Sequence, residues 1–159
     1  MSELSELVAL EMESTKLKLI AQHKTLGLKA SGAYERSLET YLSENGDNIN
    51  AGILGAQHAL YMEGGRGPNK RQDRGMIAFI YMKLLEWMKV KGISDINPWM
   101  AARKIVMQGI KVPNKHNAGG VISGVINEQW FDDIQEKILN VQNDAYMEAV
   151  LSDLKSVAS

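Results

Sequence analysis

The sequence has no cysteine, only three prolines in 159 residues, and no apolar run that approaches the length of a membrane span. Without cysteine the chain cannot form disulfides, use a thiolate nucleophile or hold zinc through sulfur. A helix that crosses a bilayer needs about 20 consecutive apolar residues. These absences favour a soluble protein, made in a reducing compartment, with no membrane partner.

A net charge of either sign is also nearly absent, because the 18 Lys and Arg residues are balanced in number by 19 Asp and Glu residues. We therefore expect no global field that draws the protein onto DNA or a membrane. The first 13 residues contain four glutamates where a secretory signal would have a basic region and then an apolar run. With 45% hydrophobic residues, the chain is expected to fold as a globular protein around one core.

The hydrophobic periodicity predicts an α+β fold. The expected architecture is a small antiparallel sheet packed with an N-terminal helix and two central helices, plus a long C-terminal helix. Leu4, Val8 and Met12 follow helical spacing, and Gly27 is a natural end for the first helix.

From about residue 34 to residue 63 the pattern changes to a period of two, which is typical of strands. Asn45–Gly46 predicts a tight hairpin turn. A second strand-like run begins at Ile49, and Gly52 and Gly55 predict bulges or a break into two shorter strands. The residues of one parity in this run are Leu54, Ala56, His58, Leu60 and Met62.

The next helix is predicted from a cap at Asp73 to a stop at Gly92, with an uninterrupted apolar run over 76–82. Its polar positions form only a thin stripe, which indicates that the helix is covered on more than one side. Two interpretations follow. The helix is either central to the core, or shared between the core and a subunit interface.

Asn97–Pro98 predicts the start of another helix, which ends at Gly109. A loop is expected over Lys111–Gly124, with a short strand at Val121–Ile122. Asn127 is then expected to cap the last helix.

The last helix is expected to run to about Val157 or to break near Asn140–Asn143. A seam with coiled-coil-like spacing is predicted along it. Its members are Phe131, Ile134, Ile138, Val141 and Ala145. We expect an α+β domain over residues 1–126 and a helical extension over 127–159, packed on the same domain or on a neighbouring subunit.

The three histidines show no pattern typical of a metal or catalytic site. His58 and Glu63 are five residues apart, and a regular strand sends them to opposite faces. His23 and His116 have no acidic or histidine partner at ligand spacing. We expect no enzyme activity, no metal and no cofactor.

Asp132 and Glu136 lie one helical turn apart, with Asp133 beside them. Carboxylates in this arrangement could hold a divalent ion or transfer a proton. A solvated face, or a docking face for a basic partner, is the commoner use, and we favour it.

A glycine-rich basic loop follows the strand-like run and is expected to be flexible. Its candidate contact residues are Glu63, Gly64, Gly65, Arg66, Gly67, Pro68, Lys70, Arg71 and Arg74. The order of glycines and lysine does not fit a phosphate-binding P-loop. Three interpretations remain open: a contact with the nucleic-acid backbone, a contact with an acidic neighbouring subunit, or a plain mobile surface loop.

The order of these features resembles the tail-completion or head–tail connector proteins of long-tailed double-stranded DNA bacteriophages. The resemblance covers roughly residues 5–126. It rests on Ala30–Ser31–Gly32, Ser37–Leu38, the stretch Tyr61–Met62–Glu63–Gly64–Gly65–Arg66–Gly67–Pro68, Trp87, Lys91–Gly92, Ala102–Ile105 and Gly109. The paired glycines at 64–65 and the long last helix depart from the family pattern.

The resemblance implies a structural virion protein of the neck or upper tail, assembled in the host cytoplasm. Such a subunit forms a homo-oligomeric ring, stacks on a portal-adaptor protein and offers a surface to the tail tube. The resemblance implies no catalytic residue. Our own hypothesis is that Arg66 and the glycines around it form an ordered contact at a ring interface or at the lining of a channel, where DNA would lie nearby. The alternative is a DNA-binding accessory module that uses the Gly64–Arg74 loop.

Overall fold

The computed structural model describes residues 2–46 and 48–158, the last two of these by their backbone alone. The predicted α+β class is confirmed, with a two-stranded antiparallel sheet and a long C-terminal helix. In chain order the elements are α1 (Glu3–Thr25), α2 (Ala33–Ser37), β1 (Glu39–Asn45), β2 (Asn48–Leu54), α3 (His58–Gly64), α4 (Arg74–Lys91), α5 (Pro98–Gln108) and α6 (Glu128–Ala158).

The β1–β2 hairpin lies on α1 and is regular throughout. Asn45 pairs with Asn48, which confirms the predicted tight turn. The expected bulge at Gly52 is wrong, because Gly52 pairs directly with Tyr41 in an unbroken register. Glycine instead leaves room for the Tyr41 ring, which lies over Gly52: a Cβ there would come within 2.8 Å of the ring, and the ring would have to move.

The predicted continuation of the second strand to Met62 is also wrong, because residues 58–64 form helix α3. A helix of seven residues makes only about two turns. Its helical period is then too short to recognise when apolar and polar residues happen to alternate. Ala59 on this helix is buried in the core. The short strand expected at Val121–Ile122 is likewise absent: the segment forms turns, and Val121 is fully buried.

The main core is built from α1, the short helices α2 and α3, and the turn segment before α6. Its buried members are Leu19, Tyr34, Leu38, Ala59 and Val121. Partly buried aliphatic side chains from β2 and from residues 122–126 surround them.

Helices α4 and α5 form a separate helical hairpin, and their predicted caps are confirmed. The Asp73 carboxylate accepts a hydrogen bond from the Met76 amide at 2.9 Å, and Asn97 caps α5 in the same way. The interpretation of α4 as a central core helix is wrong, since Met88 is its only buried residue. Phe79 is 57% exposed in the isolated chain.

Helix α6 runs without a break, and its first half packs on α1. The Trp130 indole donates a hydrogen bond to the Thr15 hydroxyl at 2.8 Å. The predicted seam is wrong at both ends, because Phe131 and Ala145 are exposed. A one-residue step turns a helix by about 100°, so orienting the indole toward Thr15 turns Phe131 outward.

Candidate binding cleft and the charged surfaces around it

Backbone hydrogen bonds attach the glycine-rich loop after α3 to the end of α5. Arg66 and Ile110 exchange two backbone hydrogen bonds, each of 2.8 Å. The Asn69 amide donates to the Val106 carbonyl at 2.9 Å. The expectation of a flexible loop is therefore wrong for its first half, which the end of α5 fixes in place.

Two glycines make this close approach of the two backbones possible. Gly65 and Gly109 have φ of +76° and +78°. A Cβ on Gly65 would lie 2.1 Å from the Ile110 carbonyl oxygen, and a Cβ on Gly109 would lie 2.1 Å from that of Arg66. Side chains are excluded at both positions by conformation and by space.

The Glu63 carboxylate points inward and fixes the turn segment before α6. It accepts hydrogen bonds from the Ile122 amide at 2.8 Å, from the Ser123 amide at 3.2 Å and from the Ser123 hydroxyl. Burial raises the pKa of Glu63, but these hydrogen bonds outweigh burial and leave the pKa below its ordinary value. The Asn117 side-chain amide donates a further hydrogen bond of 2.7 Å to the Met62 carbonyl.

Arg66 is half-buried, and its guanidinium donates to the Asn69 side chain. The exposed members of the predicted contact loop are Gly64, Gly67, Pro68, Lys70, Arg71 and Arg74. Arg71 is bound to Asp73 at 2.8 Å. The outward-facing cations are therefore those of residues 70–74, and Glu63 and Arg66 serve the local fold.

A cleft of about 860 Å³ opens beside this loop, between α3, α4, α5 and the segment 109–117. Its floor is apolar and includes Ile80, Leu84, Trp87, Ile105 and Ile110. Four lysines line it, namely Lys83, Lys104, Lys111 and Lys115, and the described residues that line it include no Asp or Glu. The cleft thus suits a ligand with an apolar face and negative charge at its edges.

Two of these lysines have nearby carboxylates and two have none. Lys83 lies 3.5 Å from Glu86, and Lys115 lies 3.5 Å from Asp95, all at exposed positions where such pairs are weak. Across residues 2–46 and 48–158, no carboxylate pairs with Lys104 or Lys111. These two cations are available to a partner.

A polar cluster lies in the core. His23 is 3% exposed, and its Nδ1 lies 3.4 Å from Glu35 Oε1. The Tyr34 ring stacks against His23, with 4.4 Å between ring centroids. Burial lowers the pKa of His23, although the Glu35 carboxylate opposes that shift. Sequence reasoning missed this pair because its members are on different helices, which the turn at Gly27 and Gly32 brings together.

Of the residues described, none form a group of three or more His, Asp or Glu that could hold a metal ion. The predicted acidic face of Asp132, Asp133 and Glu136 is exposed on α6. Within the described part of the chain, no ion pair or hydrogen bond joins these acids to the cations of residues 66–74.

The charges are strongly separated along the chain, which the balanced total conceals. Residues 64–117 contain eleven Lys and Arg residues against three Asp and Glu residues, and we call this region the basic hairpin. The remaining residues contain seven Lys and Arg against sixteen Asp and Glu, and we call them the acidic body. A count of charge by segment would have found this separation.

Comparison with protein-family models, curated proteins and solved structures finds no match for this chain. Among the helices described here, none combines the length and the apolar character that a membrane span requires.

Proposed function

We propose that the chain is a structural virion protein of a tailed bacteriophage, a subunit of a ring in the neck or upper tail. In this role it helps to join the DNA-filled head to the tail. The observation that carries the proposal is the opposite charge of the basic hairpin and the acidic body. A closed ring is built from head-to-tail contacts, in which two unlike patches of each copy must complement one another.

Exposed apolar side chains support assembly over a solitary role. Phe79 and Met82 on α4 and Tyr146 on α6 are each more than half exposed. Burying one large apolar side chain contributes about 1.5–3 kcal/mol. Contact with another protein would recover this free energy.

The resemblance of residues 61–68 to tail-completion and connector proteins gives the assembly its proposed identity. In this proposal the outer surface of the loop is formed by Pro68, Lys70 and Arg74, which are exposed, while Glu63 and Arg66 keep the loop in shape. The partners are further copies of the chain, a portal-adaptor protein and the tail tube. The role requires no catalysis and no cofactor.

A genetic experiment tests the proposal. Removing the gene should yield DNA-filled heads and separate tails that do not join, and supplying the wild-type gene should restore joined particles. The reversal Lys70→Glu with Arg74→Glu should leave the protein folded and reduce joining. Lys18→Glu with Lys24→Glu, a reversal at exposed positions on α1, is the matched control. Normal particles without the gene would contradict the proposal.

The excess of eleven cations over three anions in the basic hairpin favours one second candidate, a DNA-binding accessory module. Such a protein would bind duplex DNA with an affinity that falls steeply with salt, and replacing Lys70, Arg71 and Arg74 would reduce the slope. For a ring subunit we expect no such binding at physiological salt. A filter-binding titration across salt concentrations separates the two candidates.

A further inference from the structure

The second half of α6 carries an apolar stripe that α1 does not cover. Its members are Tyr146, Met147, Val150, Leu151 and Leu154. Tyr146 is 68% exposed and Leu154 is 61% exposed. From Trp130, whose indole is bonded to Thr15 of α1, to Val150 the helix makes about five and a half turns. The stripe therefore lies on the side of α6 opposite α1.

Carboxylates border this stripe. Asp144 and Asp153 lie at its two edges by helical position, and α6 as a whole contains seven Asp and Glu residues against two lysines. Glu136 and Leu154 are separated by about five full turns, so the predicted acidic face lies on the same side as the stripe. The outer side of α6 is thus acidic in its first half and apolar with acidic edges in its second.

The cleft in the basic hairpin is the chemical complement of that stripe. It has an apolar floor, and lysines and no carboxylate line it among the described residues. None of its described lining residues belongs to α6, so the two surfaces are separate on one chain. Each copy therefore has one helical surface that can dock and one cleft that can receive it.

We propose that the second half of α6 docks as a helix in the cleft of another copy of this chain. Met147, Val150 and Leu154 follow the i, i+3, i+7 spacing by which an amphipathic helix enters a groove. Asp144 and Asp153 then face Lys104 and Lys111, which have no carboxylate partner in the described chain. Because the contact joins unlike surfaces, it repeats from copy to copy. This inference rests on the proposed function and names the contact that closes the ring.

Two full-length variants test the docking. A helix variant, Met147→Asp with Leu154→Asp, loses the stripe, and a cleft variant, Lys104→Glu with Lys111→Glu, loses the complementary charge. Each alone should associate with itself at least about tenfold more weakly than the wild type, a change of about 1.4 kcal/mol. Their mixture should form a one-to-one pair, because the cleft variant retains an intact helix and the helix variant retains an intact cleft.

Matched controls separate docking from general effects. Leu10→Asp introduces a charge at an exposed apolar position of α1, and Lys18→Glu reverses an exposed lysine there. Both should self-associate like the wild type in sedimentation velocity. Circular dichroism spectra should show that every variant is folded.

The absence of native cysteine allows a second measurement that does not depend on stable association. A copy with Leu154→Cys and a copy with Gln108→Cys, a residue that lines the cleft, should form an intermolecular disulfide on mild oxidation. A copy with Leu10→Cys in place of Leu154→Cys should not.

The outcomes distinguish this contact from the ring itself. If the wild type forms rings but the mixture does not pair and the cross-link is not selective, the docking proposal is overturned and the ring proposal stands. A wild type that stays single, with no selective cross-link, would contradict both. Pairing in the mixture with a selective cross-link supports the docking.

Discussion

The acidic body and the basic hairpin differ in where they place their apolar side chains. The body encloses Leu19, Tyr34 and Val121 in a continuous core. The hairpin buries only Met88, Ala102 and Val106 among its described residues and leaves an apolar cleft open between its helices and α3. The difference indicates that the body holds the chain together, and that the hairpin presents surface for contact.

Within the basic hairpin, the paired backbone hydrogen bonds between Arg66 and Ile110, which we call the bridge, are where a single added atom should have the largest effect. Gly65→Ala should destabilise the protein by at least about 3 kcal/mol, because φ near +76° with ψ near −165° is a region open mainly to glycine, and the new Cβ meets the Ile110 carbonyl. Urea unfolding measures the loss. Faster hydrogen exchange at the Arg66 and Ile110 amides would locate it at the bridge.

The neighbouring glycine is the control for that substitution. Gly64 lies within α3, and a Cβ there would meet no atom within 4 Å. Gly64→Ala should therefore be neutral or slightly stabilising. Equal losses for the two alanine variants would show that the bridge does not depend on Gly65.

The next largest effect is expected where α3 holds the turn segment of the body. Glu63→Gln should cost about 1.5–3 kcal/mol, since the carboxylate accepts three hydrogen bonds from Ile122 and Ser123. The folded-state pKa is lowered, so the stabilisation is present above the ordinary glutamate pKa and is lost as the pH falls through the folded value. The difference between wild type and variant, followed by urea unfolding from pH 7 to pH 3, should shrink on the acidic side. A constant difference would contradict this role.

A smaller effect is expected at the attachment of α6 to the body. Trp130→Phe keeps an aromatic ring but removes the hydrogen bond to Thr15, and should cost about 1 kcal/mol. The substitution Leu139→Ala is the control, because Leu139 is an exposed apolar residue of the same helix. The two variants are compared by thermal unfolding. An equal loss at Leu139 would show that the loss at Trp130 is not specific to the face of α6 that packs on α1.

The smallest effect is expected at the ion pair between Lys137 and Glu11, which are 2.6 Å apart. Lys137 is about half exposed, so Lys137→Ala should cost less than about 1 kcal/mol, and added salt should reduce the loss. Urea unfolding at low and high salt measures it. A loss larger than that of Trp130→Phe would reverse the expected order at this contact.

Features set by neighbouring residues were predicted correctly from the sequence, whereas features set by contacts between distant segments were not. Asp73, Asn97 and Asn127 were predicted as caps, and each accepts the expected amide hydrogen bonds. Each cap lies within three residues of the backbone amide that donates to it. The strand predicted through Met62 was wrong because a seven-residue helix shows too little of its period.

The candidate site depended mostly on such distant pairings. Gly65 faces the Ile110 carbonyl from more than 40 residues away, and Glu63 binds a turn about 60 residues later. No local pattern indicates which of several glycines will meet another backbone. The position of the cations was predicted, but their separation from the acids was hidden in the total charge.

Electron cryomicroscopy of the protein in its native assembly would show whether unlike surfaces of neighbouring copies meet. We expect a closed ring in which the basic hairpin of each copy lies against α6 of the next. A single isolated copy, or a two-fold pair in which identical surfaces meet, would contradict this arrangement.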